Sequence, residues 1–145
     1  MNAKQTILVV DDEMHIAHVV SLKLEQAGLR VVTASDGEEA FEAAVRERPD
    51  LVVTDFQMPV MTGLELSWKL REHPATAHIP VLVVTARGHL LTDEDLARTN
   101  VKAVMCKPFS PRHLLEKVRE LLGESAGTVG GIGGGPVGGA GAVAA

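Results

Sequence analysis

Three acids close the run Ile7-Leu8-Val9-Val10-Asp11-Asp12-Glu13, and another, Asp55, closes Leu51-Val52-Val53-Thr54. Carboxylates at the ends of apolar runs suit two kinds of chemistry: they hold a hard divalent cation through oxygen, and they act as oxygen nucleophiles. Two more residues stand in comparable places, Thr85 after the apolar run 79–84, and Lys107, followed by Pro108, after the run 101–106. A flexible ammonium and a hydroxyl donor suit a phosphoryl group in transit, whose charge is spread over its equatorial oxygens. If Asp11, Asp12 and Asp55 meet, their mutual repulsion opposes ionisation. A Mg2+ ion, which commonly takes one or two carboxylates with water and phosphate oxygens, relieves it.

Taken singly, each residue has a plainer reading. Asp12 and Glu13 also fit as charges on the first turn of a helix, and Asp55 also fits as a turn residue. Thr85 is equally the end of a strand, and Lys107 a solvated charge. The chemical reading therefore depends on elements that bring all of them to one place.

Short Val/Ile/Leu runs alternate with segments of helical period, the pattern of a parallel sheet covered by helices on both faces. Strands are expected over 6–10, 29–33, 51–54, 79–84 and 101–106, and helices over 13–27, 36–46, 64–72, 92–99 and from 111 to Gly123. Gly28 is placed as a left-handed cap. Asp36 and Thr92 are placed as N-caps, with Pro74 ending the third helix. The expected fold class is α/β, a doubly wound five-stranded parallel sheet. Ligands of such sheets bind outside the carboxyl ends of the strands, where strand order reverses. Asp11, Asp12, Asp55, Thr85 and Lys107 all fall at that edge, and the three carboxylates converge if the first and third strands are neighbours.

The chain has 145 residues, enough for one domain with a proper core. Aromatic residues make up 3% and tyrosine is absent, so the core must be aliphatic. A net charge of -5 argues against general nucleic-acid binding, which needs a positive field. One cysteine, Cys106, excludes an internal disulfide, and it reads as a small buried strand residue. No apolar run reaches membrane-spanning length and MNAKQT is not a signal sequence, so a cytoplasmic location without membrane contact is expected. Nine of the fourteen glycines lie in the last 22 residues. Residues 1–123 are therefore read as the domain and 124–145 as a flexible Gly-rich tail. Gly133, Gly135 and Gly138 match a dinucleotide-binding spacing by accident, with no strand before them and no helix after.

Together, VVDDE, VVTDFQMPVMTG, VVTA and CKPF resemble the response-regulator receiver domains of bacterial two-component signalling, the family of the chemotaxis regulators, over roughly residues 5–123. The resemblance implies a flavodoxin-like strand order of 2-1-3-4-5. It makes Asp55 the phosphoacceptor for a histidine kinase or histidine phosphotransfer protein. It assigns Mg2+ to Asp11, Asp12, Asp55 and the backbone carbonyl of Gln57, the switch hydroxyl to Thr85, and the phosphate contact to Lys107. The Lys107-Pro108 peptide is expected to be cis. Phosphorylation would then reposition a partner-binding surface of fourth helix, fifth strand and fifth helix, which is also a possible dimer face; the downstream protein target is unspecified. Where the family usually has Tyr or Phe, this chain has Val104. Asn100 replaces a common glycine, a harmless change because Asn tolerates left-handed geometry. Gln57 and Arg87 occupy positions that tune dephosphorylation.

The expected role is a phosphoacceptor module that assists its own phosphorylation and dephosphorylation, not a conventional enzyme. The alternatives are the receiver part of a larger regulator or hybrid kinase, a Mg2+-dependent aspartyl-phosphate phosphatase, and a pseudo-receiver. The phosphatase would need a nucleophilic Asp-x-Asp loop where this chain has adjacent aspartates. The pseudo-receiver is opposed by the presence of Asp12, Asp55, Thr85 and Lys107. His15 and His18 read as solvent-exposed, His73 and His78 as loop residues, and Arg112, Lys117 and Arg119 as a solvated face. Val19 and Leu22 fit either core packing or a kinase-docking patch.

Overall fold

A computed structural model describes residues 4–86 and 91–127. Five strands, β1 (Thr6–Val10), β2 (Arg30–Ala34), β3 (Leu51–Asp55), β4 (Val81–Thr85) and β5 (Val101–Cys106), form one sheet in the order β2-β1-β3-β4-β5. Every pairing is parallel. This is the flavodoxin-like doubly wound sheet expected from the sequence. The helices are α1 (Met14–Gln26), α2 (Gly37–Glu47), α3 (Gly63–Glu72), α4 (Asp93–Ala97) and α5 (Pro111–Gly127).

Successive strand residues point to opposite faces, which divides the core into two layers. Ile7, Val9, Leu51, Val53, Leu82 and Val84 pack against α1 and α5. Leu8, Val10, Val52, Val81 and Val83 pack against α2 and α3. Full burial of one such aliphatic side chain is worth about 1.5–3 kcal/mol, so a core nearly free of aromatics suffices. The two-sided covering is why these strands read as unbroken apolar runs.

The β4–β5 pairing slips one residue, Val81 facing Val101 but Leu82 facing Ala103. The extra residue is Lys102, exposed on the edge strand. Because of it Val101 faces the α2/α3 layer while Ala103 faces the α1/α5 layer.

Boundaries moved where local chemistry outweighed the apolar pattern. β2 starts at Arg30 because Gly28, at φ +93°, and Leu29 complete the turn out of α1. β4 starts at Val81, after Pro80, which has no N–H for a ladder. α5 runs to Gly127, four residues beyond the Gly123 at which the sequence reading stopped it. The rest of the expected tail, and Arg87, lie outside the described residues. Cys106 is exposed, a correction to its reading as buried: it ends an edge strand whose pattern of burial loosens toward that end. Arg112 and Lys117 pair with Glu116 and Glu120 within α5.

Candidate functional site at the carboxyl edge of the sheet

Strand order decides what meets at the carboxyl edge. β1 and β3 are adjacent with Val10 opposite Thr54, so the next residue of each, Asp11 and Asp55, are neighbours. Asp11 extends the ladder by donating its N–H to the Ala34 carbonyl at 3.2 Å, and its Oδ1 accepts the Glu13 N–H at 2.9 Å. Asp12 follows, exposed. Ligand oxygens of Asp11, Asp12 and Asp55 all lie within 4.8 Å of one another.

Asp55 ends β3, and the connection beyond it is tightly shaped. Phe56 donates its N–H to the Val84 carbonyl and its own carbonyl accepts from Gly63, both at 2.8 Å. A Cβ on Gly63 would stand 2.5 Å from the Asp55 carbonyl oxygen, so only glycine lets the loop close there. At the loop's tip Val60 adopts φ +69° and is 99% exposed, an uncommon conformation for a β-branched residue. Thr62 and Glu65 form a reciprocal cap that starts α3. Gln57 is exposed in this loop, two residues beyond Asp55.

β4 and β5 contribute the remaining groups. Lys107 donates its backbone N–H to the Thr85 carbonyl at 2.8 Å and sets its Nζ 3.0 Å from Asp55 Oδ1. The Lys107-Pro108 peptide is cis. Thr85 is buried, with its hydroxyl donating to the Ala86 carbonyl at 3.1 Å. Thr85 thus reaches the edge but spends its proton locally. Val104 is half-buried on the α2/α3 layer alongside Leu91 and Leu96. His73 is held by Ala75 and Phe41, away from this edge.

The electrostatics are unbalanced. Burial raises the Asp11 carboxyl above its ordinary range, and the Asp55 and Asp12 charges add to the rise against the Glu13 N–H and Lys107. Burial likewise raises Asp55, with Lys107 opposing it and Asp12 adding to it. At Lys107 burial works against the charge, but its hydrogen bond to Asp55 and the surrounding acids prevail and its pKa is raised. Among the described residues, one cation, Lys107, faces three carboxylates, an all-oxygen donor set that suits a hard divalent cation. Asp55 is the carboxylate that also touches a cation, an arrangement competent for attack on an electrophile whose developing charge Lys107 can meet.

Beside this cluster lies an apolar groove of about 570 Å³ between α1 and the turn into α5, lined by His15, Ile16, Val19, Lys107, Pro108 and Phe109. Val19 is half-exposed in the wall of this concavity, which no local pattern signals because it needs Phe109 from 90 residues later in the chain. Gly63 was likewise passed over; its signal was its place eight residues after Asp55 in the quoted loop motif.

Comparison with known proteins shows three kinds of likeness. The family model of the response regulator receiver domain matches residues 7–119. The alkaline phosphatase synthesis transcriptional regulatory protein PhoP of Bacillus subtilis is 39% identical over 125 residues, 86% of this chain and 50% of that protein. The chain spans about half the length of the curated relatives it matches. The chemotaxis protein CheY4 of Vibrio cholerae superposes with a TM-score of 0.77 at 33% identity, covering 83% of this chain and 100% of the other. The receiver domain of sensor histidine kinase PA1611 from Pseudomonas aeruginosa superposes with a TM-score of 0.73 at 26% identity, covering 83% of this chain and 99% of the other. That structure holds a magnesium ion coordinated in its active-site cleft.

Proposed function

The chain belongs to the response regulator receiver domain family, and on that premise we propose that Asp55 accepts a phosphoryl group from the phosphohistidine of a histidine kinase or phosphotransfer protein. An Asp55 carboxylate oxygen bonds to phosphorus as the donor's P–N bond breaks, the electron pair leaving on the imidazole nitrogen. Asp11, Asp12 and Asp55, with the Gln57 backbone carbonyl, would hold Mg2+, which when bound neutralises charge on the phosphoryl oxygens. The magnesium in the cleft of the PA1611 receiver domain supports that assignment. Lys107 meets the charge on the transferring group from its place 3.0 Å from Asp55 Oδ1. The Thr85 hydroxyl exchanges its Ala86 carbonyl for a phosphoryl oxygen, and α4, β5 and α5 answer as a partner-binding or dimer surface. The apolar groove beside α1 receives the phosphodonor, with Val19 in its wall. The module acts in the cytoplasm with proteins as its partners, its net charge of -5 repelling nucleic acid.

The observation that carries this reading is the meeting, among the described residues, of a buried Asp55 with the Lys107 ammonium and two further carboxylates. Intact-mass measurement after treatment with acetyl phosphate tests it. One phosphoryl adduct is expected with Mg2+, none with a chelator, and none in Asp55→Asn. A metal-independent adduct, or an equal one in the variant, contradicts it. A phosphatase turning over external phosphoesters would instead release phosphate from a simple aryl phosphate.

A further inference from the structure

The two edges of the sheet are finished differently. At one, the slip at Lys102 interrupts β5 and sets an exposed lysine on it, a device that hinders pairing with another strand. At the other, β2 pairs with β1 in unbroken register from Arg30 to Ala34. Its sequence is RVVTA, β-branched from Val31 to Thr33 and free of proline and glycine.

The backbone of β2 alternates inward and outward. Arg30 donates its N–H to the Gln5 carbonyl at 2.9 Å, and the Ala34 carbonyl accepts the Asp11 N–H at 3.2 Å. A parallel ladder engages every second residue of a strand, so Arg30, Val32 and Ala34 turn their peptide groups to β1, while Val31 and Thr33 turn theirs out of the sheet. Thr33 is exposed and Val31 half-buried.

α2 flanks this edge with charge of opposite sign at its two ends. Beyond the carboxyl end of β2, Glu39 accepts the Ser35 N–H at 2.8 Å and the Ser35 hydroxyl at 2.9 Å. At the amino end Arg30 pairs with Glu47 at 3.2 Å. Glu38 and Glu39 stand in the first turn of α2 after Asp36, and Arg46 in its last turn before Arg48. The carboxyl end is therefore acidic, and the amino end, with Arg30, Arg46 and Arg48 about Glu47, is basic.

We propose that β2 pairs with β2 of a second copy of this chain, antiparallel across a two-fold axis at Val32, joining the two sheets into one. In that register Val31 lies opposite Thr33 of the second copy, and the two exchange both N–H···O=C bonds as a hydrogen-bonded pair of an antiparallel ladder. The axis repeats the exchange. Val32 meets its own counterpart as the intervening pair, which needs no bonds across the axis because its peptide groups are already bonded to β1. Every one of these pairs joins β-branched residues. Reversal also lays the acidic end of one edge against the basic end of the other, where a parallel partner would set like against like. The contact is isologous and closes as a dimer. One strand pair makes a small interface, so a weak dimer with a dissociation constant of about 0.1 mM is expected. It uses the sheet edge remote from β5 and does not depend on the charge of Asp55.

Sedimentation velocity and amide exchange of the full chain, in chelator and without phosphodonor, at about 20 μM and about 1 mM test the pairing. The wild type is expected to sediment mostly as one chain at the lower concentration and mostly as two at the higher, with Val31 and Thr33 amides exchanging about 4-fold more slowly there. Thr33→Pro deletes an outward N–H that the fold does not use and should stay monomeric at both concentrations, whereas Thr33→Val should behave as the wild type. If Thr33→Pro does not fold, by circular dichroism, Thr33→Lys decides in its place, because its charge would stand about 8 Å from its counterpart across the axis. A wild type that remains one chain at the higher concentration overturns the proposal, as does a dimer that the deciding variant leaves intact. Protection of Val31 and Thr33 that is equal at both concentrations also overturns it, since the chain itself would then cover the edge.

Discussion

At Asp55, an ammonium 3.0 Å away does not bring the carboxyl back to its ordinary range, because burial and the Asp12 charge outweigh it. The residue is held short of full charge compensation, the condition under which an added cation or an added phosphoryl group changes local energetics most. Lys107 should therefore matter most once charge develops on the transferring group. A hydrogen bond to a charged group is worth about 1.5–3 kcal/mol, so Lys107→Met should slow acetyl-phosphate labelling roughly 10- to 100-fold, followed by intact mass over time. An unchanged rate would remove Lys107 from the reaction. Val60 makes a different kind of prediction. Its left-handed backbone is costly and its side chain is 99% exposed, so it loses almost no packing on truncation. Val60→Gly should raise stability by up to about 1 kcal/mol, read from the urea midpoint.

Among elements, the β3–α3 connection is the one whose shape the site depends on. A methyl at residue 63 would meet the Asp55 carbonyl at 2.5 Å, and overpacking of this kind costs about 1–3 kcal/mol. Gly63→Ala should lower the urea midpoint and slow labelling of Asp55 together, since the loop must move away from the strand end that carries the carboxylate. Loss of stability with labelling unchanged would show that the loop does not position the site. Here the limits of sequence reading are physical. The apolar runs placed β1, β3, β4 and β5 to within a residue or two because strands buried on both faces leave a continuous signal. The caps at Asp36, Thr62 and Thr92 follow from local chemistry, and Asp36 and Thr92 were legible for that reason. The slip at Lys102, the exposure of Cys106 and the reach of Arg71 to Ala97 and Thr99 depend on pairings across the fold, and no local pattern carries them. The apolar pattern alone brings Asp11 and Asp55 together only if β1 and β3 are neighbours; the family resemblance implied that order, and the sheet has it.

For the molecule as a whole, the acidic edge sets how stability responds to pH and to metal. Asp11 holds its proton more tightly folded than unfolded. Its contribution to stability is thus complete below its unfolded pKa and is lost as pH rises through the higher folded value. In a chelator at pH 7, Asp11→Asn should be more stable than the wild type, because its amide oxygen can still accept the Glu13 N–H without a charge to desolvate. The advantage should shrink as pH falls toward 4, near the ordinary value of 3.8. Mg2+ should reverse the order at pH 7 by binding the folded wild type. Denaturation midpoints at both pH values, with and without the ion, check all three signs. A variant less stable than the wild type in chelator would mean that the carboxylate cluster is not under electrostatic strain.

The central claim is that Asp55 is the atom donor to phosphorus, and locating the modification tests it most directly. Borohydride reduces an aspartyl phosphate to homoserine, a mass change that peptide mapping assigns to one position. After phosphorylation in the presence of Mg2+, the account predicts homoserine at residue 55 and nowhere else. Homoserine at Asp11 or Asp12, or a phosphoryl group that survives borohydride and maps to His15 or His18, would contradict it.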